Sequence, residues 1–212
     1  MRIDVFSDVV CPWCFVGKRR LEQALASAKA TDAEVHWHAF QLNPDLPSGG
    51  VDRREYLESK FGPGAAERIH ARLDEVGREA GIDFQFDKIG RSPNTRDAHR
   101  LLWLAGNQGK QSRLKEALMK AYFIAGRDIG DRAVLAEVAA AAGIAGDVQA
   151  FLASEGGQQE VQDDLATAAR LQISGVPFFI FDGRYALAGA QPPEVFAQAL
   201  EAARSAPARP IG

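Results

Sequence analysis

The spacing of apolar residues changes along the chain, and the changes predict its elements. Residues 3–10 are apolar almost without interruption, which is typical of a strand buried on both faces. Residues 34–42 alternate apolar and polar positions more regularly and predict a second strand. Between them, residues 12–29 have an apolar stripe at helical spacing. The N-terminal segment therefore predicts a strand–helix–strand unit.

The middle of the chain, residues 52–170, has helical spacing almost throughout. Pro63 is predicted to lie in a first helical turn, where its missing N–H has no partner to lose. Asp131 and Asp147 are predicted N-caps, because a short side-chain oxygen can accept from the first free N–H groups of a helix. The predicted helices span 52–60, 63–80, 94–106, 110–125, 131–142, 147–155 and 158–171.

Residue spacing that is typical of strands occurs again near the C-terminus. Residues 177–189 contain two short apolar runs on either side of Asp182-Gly183, a dipeptide typical of a type I′ hairpin. A last helix is predicted at 193–204, and the tail at 205–212 is predicted to be mobile.

The predicted order is strand–helix–strand, a helical block, and then strand–strand–helix. This order predicts an α/β protein: a thioredoxin-like fold with a large helical insertion domain. The predicted thioredoxin-like domain takes residues 1–45 and 175–212, and the inserted helical domain takes residues 46–174.

Composition narrows the function classes. The chain has 212 residues, enough for one good core, and a net charge of −3 with a pI near 5.8, so nothing suggests a nucleic-acid or anionic-membrane partner. The N-terminus lacks the basic and apolar regions of a signal peptide, and no apolar stretch reaches the roughly 20 residues of a membrane span. We therefore expect a cytoplasmic protein, in which thiols stay reduced and a structural disulfide is disfavoured.

The two cysteines of the chain, Cys11 and Cys14, are three positions apart with Pro12 and Trp13 between them. Cys11 falls where the first predicted strand ends and the first helix begins, and Pro12 suits the first helical position. The free N–H groups at a helix N-terminus favour a thiolate. We therefore predict that Cys11 is the nucleophile with a lowered thiol pKa. Cys14, one turn further in, is predicted to be the more buried resolving cysteine, with a higher pKa.

Two other interpretations of the pair remain open. Cys11 and Cys14 could bind zinc together with His36 and His38, which share one face of the second strand. Zinc requires four ligands in tetrahedral geometry, and the chain has no second cysteine pair and no His-x3-His spacing, so no metal site is predicted. The pair could also be two inert buried cysteines, but their place at a strand-to-helix junction disfavours this.

The segments "SDVVCPWC" at 7–14 and "SGVPFF" at 174–179 resemble the DsbA family of thioredoxin-fold oxidoreductases, within it the cytoplasmic FrnE-like branch. The segments "FQLNPDLP", "SPNTRDAHRL" and "LAGAQPPEVF" are also similar to that branch, so the resemblance covers the whole chain. Members with a C-x-x-C motif exchange thiols and disulfides. The resemblance therefore implies a protein-disulfide oxidoreductase or disulfide isomerase whose reaction uses Cys11 and Cys14.

The resemblance also defines an alternative and the expected partners. Relatives without the cysteines include glutathione-dependent 2-hydroxychromene-2-carboxylate isomerases and kappa-class glutathione transferases, in which a Ser usually stands where this chain has Cys11. The expected partner is a thiol- or disulfide-containing protein or small molecule, with glutathione as a candidate thiol co-substrate. No other cofactor, nucleic acid or membrane is expected, and the sequence does not indicate an oligomeric state. A third interpretation is a thiol-binding module without turnover.

Val176-Pro177 is predicted to be a cis peptide bond beside the cysteines. A cis bond turns the chain sharply enough to bring the backbone of Val176 next to Cys11, where it can pair with an extended substrate. The resemblance points the same way, because thioredoxin-fold oxidoreductases have a cis-proline opposite their C-x-x-C motif. Pro177 is therefore predicted to belong to the catalytic site, and Pro12, Trp13 and Val176 to contact substrate.

Asn94 and His99 are further candidates for substrate contact. Helix capping is the first explanation for Asn94, but the resemblance places its segment in the cleft opposite the motif. His99 follows one turn later on the same predicted helix. The basic run from Lys18 to Arg20 could bind an anionic thiol such as glutathione, although a solvated helix face is the commoner outcome.

This chain differs from its relatives at a position that matters for proton transfer at Cys14. Several thioredoxin-fold oxidoreductases have a buried acid six positions before the first cysteine, and here that position is Val5. Water or Asp8 is the candidate for moving the proton of Cys14 in place of the missing acid.

Overall fold

The structure, a computed structural model, describes residues 1–205. Its strands are β1 Arg2–Ser7, β2 Glu34–Ala39, β3 Val51–Asp52, β4 Arg91–Ser92, β5 Phe178–Phe181 and β6 Tyr185–Ala188. The main sheet has the strand order β2-β1-β5-β6, with β1 parallel to β2 and antiparallel to β5, and β3 pairs with β4 separately. Val5 lies between Trp37 and Phe179, so the first strand of the chain is a central strand of the sheet.

Nine α-helices and one short 3-10 helix occupy the described part of the chain. The α-helices are α1 Pro12–Ser27, α2 Arg53–Phe61, α3 Ala65–Glu79, α4 Arg96–Gly106, α5 Gln111–Phe123, α6 Arg132–Ala141, α7 Val148–Ala153, α8 Gln158–Arg170 and α9 Pro193–Ser205.

One hydrophobic core lies between the main sheet and the helices α1 and α9. Ile3 and Val5 from β1, Leu21 from α1 and Phe196 from α9 are buried in it. The rings of Phe179 and Phe196 meet edge to face with centroids 4.7 Å apart, a favoured arrangement for aromatic pairs. This packing fixes α1, and with it the cysteines at its start, against the sheet.

The second and larger core joins α1 to the helices that lie between β2 and β5 in sequence. Phe15 and Val16 of α1 are fully buried in it. The ring of Phe15 lies 6.2 Å from those of both Phe84 and Phe123. Because α1 contributes side chains to both cores, its N-terminus lies where the sheet and the helical block meet.

Several local predictions are confirmed. Asp182 and Gly183 both have positive φ, 49° and 62°, as the predicted type I′ turn requires. The side chain of Asp131 accepts hydrogen bonds from the first free N–H groups of α6, and that of Asp147 does the same for α7. The predicted strands and helices exist, with bounds that differ by a few residues at each end.

Other local predictions are wrong. Pro63 does not lie in a first helical turn, because Gly64, with φ 69°, occupies the N-cap of α3 and Pro63 precedes it. The two-residue strands β3 and β4 were not predicted, since a period cannot be recognised over two residues. Val9 and Val10 lie in the turn after β1 and not in the strand.

The architecture is the predicted one, an α/β thioredoxin-like fold with a helical insertion, in which α2 to α8 separate β2 from β5 in sequence. The division into domains at residues 45 and 174 stays a prediction. The predicted mobility of the tail concerns residues 206–212, which lie outside the described residues. Among residues 1–205, no helix has the length and apolar character needed to cross a membrane.

Candidate active site

Cys11 is the N-cap residue of α1, as predicted. Its backbone is extended, with φ −91° and ψ 113°, and Pro12 follows as the first helical residue. The Cys11 carbonyl accepts the N–H of Cys14 at 3.0 Å. No side chain caps the first turn of α1, so its first N–H groups have no side-chain partner at the end of the helix where Cys11 lies.

Both cysteines are reduced and buried: Cys11 is 4% exposed and Cys14 is 0% exposed. A hydrogen bond to Cys14, together with burial, raises the pKa of the Cys11 thiol well above its ordinary value. Burial opposes the Cys14 thiolate, but the hydrogen bond from Cys11 and the positive charge of Lys115 lower the pKa of Cys14. The directions of the two pKa values in the reduced pair are opposite to the predicted order, because the hydrogen bond between the thiols favours the Cys14 thiolate and the charge of Lys115 adds to this.

The Val176-Pro177 bond is cis, as predicted. It brings the carbonyl oxygen of Val176 to 3.6 Å from the Cys11 sulfur, although the two residues are 165 positions apart. The Pro177 ring also lies against α1, where a Cβ at Gly17 would come within 2.9 Å of its Cγ. The structure therefore brings the predicted Cys11, Cys14 and Pro177 together.

A cavity of about 490 Å³ opens directly beside Cys11. Pro12, Trp13 and Val176, the residues predicted to contact substrate, line it next to the sulfur. The rest of its wall is mainly apolar and includes Leu42, Phe61, Ile69, Leu73 and Tyr122. The volume is that of a small-molecule site.

Two cations in this cavity have no acidic partner. Arg53 donates to the Tyr122 hydroxyl at 2.9 Å, while its Nε is buried without a hydrogen-bond partner. Lys60 donates to the side chains of Asn43 and Tyr56, at 2.6 and 2.7 Å. Within residues 1–205, no carboxylate lies at ion-pair distance from Arg53 or Lys60. The cavity therefore combines an apolar wall, the sulfur of Cys11 and two positive charges without a carboxylate partner among residues 1–205.

The basic run at the start of α1 lies elsewhere. Lys18 is buried and pairs with Glu116 at 2.8 Å, and Arg19 pairs with the same carboxylate. Arg20 donates to the Ala190 carbonyl at 2.7 Å. These side chains attach α1 to its neighbours, so the anionic thiol suggested for them has no support in the geometry.

Asn94 and His99 do not line the cavity beside Cys11. Asn94 accepts from the Arg96 N–H at 3.0 Å and donates to the Leu46 carbonyl at 2.7 Å, so its side chain holds the loop before α4, whose N-cap is Thr95. The His99 side chain is 1% exposed and bonds to Asp8 at 3.2 Å. The substrate contacts predicted for Asn94 and His99 therefore have no support in the geometry.

Asp8 belongs to a buried polar cluster near the thiols. Its carboxylate binds His99 through one oxygen and the Leu42 N–H, at 2.9 Å, through the other. Burial opposes ionisation, but the hydrogen bond from His99 keeps the pKa of Asp8 below its usual range. Asp8 is therefore a charged residue near Cys11 and Cys14, in the region where the sequence suggested a substitute for the missing acid.

Lys115 is the residue of this region that the sequence analysis missed. It is 0% exposed and lies on α5, and burial lowers its pKa to about 8 although Cys14 and Asp8 act to raise it. One signal was available: Lys115 is three, four and seven positions before the buried Leu118, Met119 and Tyr122, which places it on the apolar stripe of its helix.

No metal site forms around the cysteines. His38 is held by Asp4 and Asp164, each at 2.7 Å, and His36 is partly exposed. Among residues 1–205, no group of three or more His, Cys, Asp or Glu side chains is arranged to hold a metal ion.

Comparison with known proteins gives the same picture as this geometry. In a search of solved structures, the chain is similar to a probable DsbA oxidoreductase from Streptomyces coelicolor, with 35% identity, coverage of 99% of this chain and 92% of the other, and a TM-score of 0.91. It is 28% identical over 202 residues to YwbO, an uncharacterised Bacillus subtilis protein, covering 94% of this chain and 96% of YwbO.

Two more distant structures share the fold. The cytosolic disulfide reductase DsbM of Pseudomonas aeruginosa, solved with glutathione, is 19% identical with a TM-score of 0.67, over 95% of this chain and 98% of its own. A 2-hydroxychromene-2-carboxylate isomerase is 16% identical with a TM-score of 0.71, over 95% of each chain. The model of the DSBA-like thioredoxin domain matches residues 2–201. The chain therefore belongs to the DsbA-like thioredoxin domain family.

Proposed function

We propose that this protein is a thiol–disulfide oxidoreductase that exchanges disulfides with its substrates through Cys11 and Cys14. One observation carries the proposal: Cys11 is the N-cap of α1, beside both Cys14 and the cis Val176-Pro177 bond, at the wall of a cavity. A thiol pair at a helix N-terminus is suited to attack on disulfides.

The two sulfurs have different tasks in the proposed reaction. Cys11 lines the cavity and forms the mixed disulfide with the substrate. Cys14 is fully buried beside Cys11, so it closes the internal disulfide and releases the substrate thiol. The Val176 carbonyl lies beside Cys11, and the adjacent backbone is placed to pair with a bound substrate.

The cavity favours small anionic thiols and disulfides, glutathione among them, over extended unfolded chains. Its volume of about 490 Å³ suits a small molecule, and Arg53 and Lys60 can bind a carboxylate that no acid of residues 1–205 supplies. The related structure of DsbM with glutathione is consistent with this class of substrate. A glutathione partner also fits the proposed cytoplasmic location, where glutathione keeps thiols reduced.

Trapping tests the proposal. A Cys14→Ala variant cannot resolve the mixed disulfide, so incubation with glutathione disulfide should leave one glutathione attached to Cys11, measured as a mass increase of the intact protein. The matched variant Cys11→Ser should show no adduct and no exchange activity. A Cys11→Ser variant as active as the parent would refute the proposal. A stable adduct on the parent without turnover would show a thiol-binding module and not an enzyme.

The alternative function is a glutathione-dependent isomerase, which the likeness of fold to 2-hydroxychromene-2-carboxylate isomerase keeps open. The apolar wall of the cavity could hold an aromatic substrate. An ultraviolet assay with hydroxychromene carboxylate and reduced glutathione separates the two functions. Turnover that survives Cys14→Ala would favour the isomerase, because isomerisation needs no second thiol.

A further inference from the structure

The helix α2 forms part of the wall of the cavity beside Cys11 but contributes nothing to a core. Four of its residues line the cavity, namely Arg53, Tyr56, Lys60 and Phe61. None of the nine residues of α2, all of them described, is buried. Even Phe61, its last residue, is 49% exposed. Because most of the stability of a helix in a protein comes from packing, α2 depends on its polar contacts to keep its position.

The other helices that line the cavity are anchored. Pro12 and Trp13 of α1, Ile69 and Leu73 of α3 and Tyr122 of α5 are also in its wall. Each of these three helices contributes buried side chains to the larger core, and those side chains include Phe15 of α1, Leu73 of α3 and Tyr122 of α5. Among the helices of the wall, α2 is therefore the one that can move without opening a core.

Two sets of polar contacts hold α2 over the cavity. At its start, the Arg53 side chain donates to the Tyr122 hydroxyl at 2.9 Å. Further along, Tyr56 and Lys60 both donate to the side-chain oxygen of Asn43, Lys60 at 2.6 Å. Asn43 lies in the loop after β2 and lines the same cavity. The contact with Asn43 therefore joins two separate parts of the cavity wall.

The connection between α2 and α3 provides a hinge. Gly62 and Gly64 have φ of 83° and 69°. A Cβ at Gly62 would meet nothing within 4 Å, so this glycine is required by the backbone conformation and not by lack of space. Hinges of moving segments are a few loop or helix-terminal positions of this kind.

Access to Cys11 is the reason why such a movement matters. Cys11 lines the cavity but is only 4% exposed. Disulfide exchange requires a substrate sulfur to contact the Cys11 sulfur directly. The cavity must therefore widen to admit a substrate larger than its present opening, and α2 is the wall that can give way.

We propose that α2 is a lid that opens to admit substrate to Cys11, and that Asn43 is the positioning residue that holds this lid closed. The inference rests on the proposed function and adds to it the step that controls access to the sulfur. With Tyr56 and Lys60 bound to Asn43, the lid is closed. When these hydrogen bonds break, α2 moves on the connection at Gly62 and Gly64 and uncovers the cavity.

Hydrogen exchange measures the lid directly. In an Asn43→Ala variant, the amides of α2 should exchange at least about fivefold faster than in the parent, because a helix released from its contacts opens more often. The amides of α3 should keep their rates, since Leu73 remains in the core. Tyr56→Phe removes one of the two hydrogen bonds to Asn43 and should give a smaller increase.

Ser59→Ala is the matched control on the same helix. The exposed Ser59 hydroxyl donates to the Tyr56 carbonyl at 3.1 Å, within α2, so its loss should leave the exchange of α2 unchanged. A folded Asn43→Ala variant with the parent's exchange in α2 would overturn the inference. Equal acceleration in α2 and α3 would also overturn it, because the two helices would then open as one unit and not at the hinge.

Alkylation tests access to the sulfur. In a Cys14→Ala background Cys11 is the remaining thiol, and its rate with iodoacetamide can be compared with its rate with a maleimide that bears a bulky dye. Asn43→Ala should raise the rate with the bulky reagent at least about fivefold, whereas iodoacetamide fits the closed cavity of about 490 Å³ and should react about as fast as before. The ratio of the two rates corrects for a change in thiol ionisation. An unchanged ratio in the folded variant would contradict a lid.

Neither measurement uses a disulfide, so the lid and the proposed function can fail separately. Faster exchange in α2 and faster alkylation in Asn43→Ala would support the lid even if the parent proves inactive in disulfide exchange. Conversely, a glutathione adduct on Cys11 together with unchanged exchange and alkylation in Asn43→Ala would leave the proposed function and remove the lid.

Discussion

Arg53 and Arg54 are adjacent in sequence and have identical side chains, but the structure gives them different environments. Arg53 lies in the cavity with Cys11, and its Nε is buried without a partner. Arg54 is 87% exposed and pairs with Glu58 on the surface of α2. Arg53 and Arg54 differ by one position on α2, and this difference places Arg53 in the cavity and Arg54 in solvent.

An Arg53→Met variant should lose affinity for anionic substrates. A hydrogen-bonded charge contact is typically worth about 1.5–3 kcal/mol, so the KM for glutathione disulfide should rise at least about tenfold while kcat changes little. Tyr122, which Arg53 now contacts, keeps its bond to the Arg91 carbonyl, so the fold should tolerate the change. Steady-state kinetics with glutathione disulfide and with an uncharged small disulfide measure the effect.

The uncharged disulfide and the neighbouring residue provide the controls. Arg53→Met should leave the KM for the uncharged disulfide unchanged, and Arg54→Met should leave both KM values unchanged. An equal loss for both substrates in Arg53→Met would show that Arg53 shapes the cavity and does not bind the anion.

At the scale of single residues, the sequence predicted what local rules determine. Cys11, Pro12 and Cys14 follow from a helix start, and Pro177 follows from the need to bring a backbone segment beside Cys11. The surroundings of Lys115 could not be predicted, because the Ser7 carbonyl that its Nζ contacts is more than a hundred positions away in sequence. The directions of the two thiol pKa values depend on the hydrogen bond between the thiols, which the spacing of the cysteines does not reveal.

The helix α1 is held unusually close to the loop that contains Pro177. A Cβ at Gly17 would lie 2.9 Å from the Pro177 ring and 3.2 Å from the ring of Phe179. Gly17 has ordinary helical φ, so its glycine is required by this close approach and not by backbone conformation. The loop that approaches Gly17 also contains the Val176 carbonyl beside the Cys11 sulfur.

A Gly17→Ala variant should be less stable even though alanine is the better helix former. The higher helix propensity of alanine stabilises the helix by about 1 kcal/mol, but overpacking destabilises a protein by about 1–3 kcal/mol. The two atoms nearest to the new Cβ belong to the rings of Pro177 and Phe179, which cannot easily move away. We expect a net loss of up to about 2 kcal/mol in the free energy of unfolding, measured by urea denaturation, together with slower exchange at Cys11.

Gly106→Ala is the matched control within a helix. A Cβ at Gly106 would meet only the end of the Gln111 side chain, at 3.4 Å, so this variant should equal the parent in stability or exceed it. Equal stabilisation of the Gly17 and Gly106 variants would show that α1 can move away from Pro177 at no cost.

Helices and strands were predicted well where the apolar pattern extends over many residues. The strong stripes of α4, α5 and α8 give their bounds to within two residues. The pair β3 and β4 was missed because two residues show no period. Pro63 was misplaced because Gly64 supplies the N-cap of α3 with a positive φ, which only the surrounding chain determines.

At the scale of the whole molecule, His38 joins three distant parts of the chain. Its ring nitrogens bind Asp4 of β1 and Asp164 of α8, each at 2.7 Å, while His38 itself lies on β2. Burial opposes protonation, but the hydrogen bonds and charges of Asp164 and Asp4 raise the pKa of His38 to about 9. The same contacts with His38 and Arg2 overcome the opposing effect of burial and lower the pKa of Asp4 to about 2.

These shifts predict how the stability of the protein depends on pH. The His38 contribution is complete below its unfolded pKa of 6.5 and is lost as the pH rises through about 9. The Asp4 contribution is present above 3.8 and is lost as the pH falls through about 2. A His38→Gln variant should therefore lose on the order of 3 kcal/mol of unfolding free energy near pH 6, and the deficit should shrink above pH ~9.

Urea unfolding of parent and variant across this pH range measures the difference. His36→Gln is the control, because His36 lies on the same strand, partly exposed, and should leave the pH dependence unchanged. A deficit of His38→Gln that is constant from pH 6 to 10 would show that the ring contributes by packing and not by charge.

The position of β1 between β2 and β5 has a consequence for the order in which the protein is made. The cysteines are made first, and the strand that completes their surroundings follows some 165 residues later. At about 5–20 residues per second, roughly 10–30 seconds therefore pass between the synthesis of Cys11 and that of Val176. Until then the backbone of Val176 cannot lie beside Cys11, so the wall of the cavity next to the sulfur is incomplete.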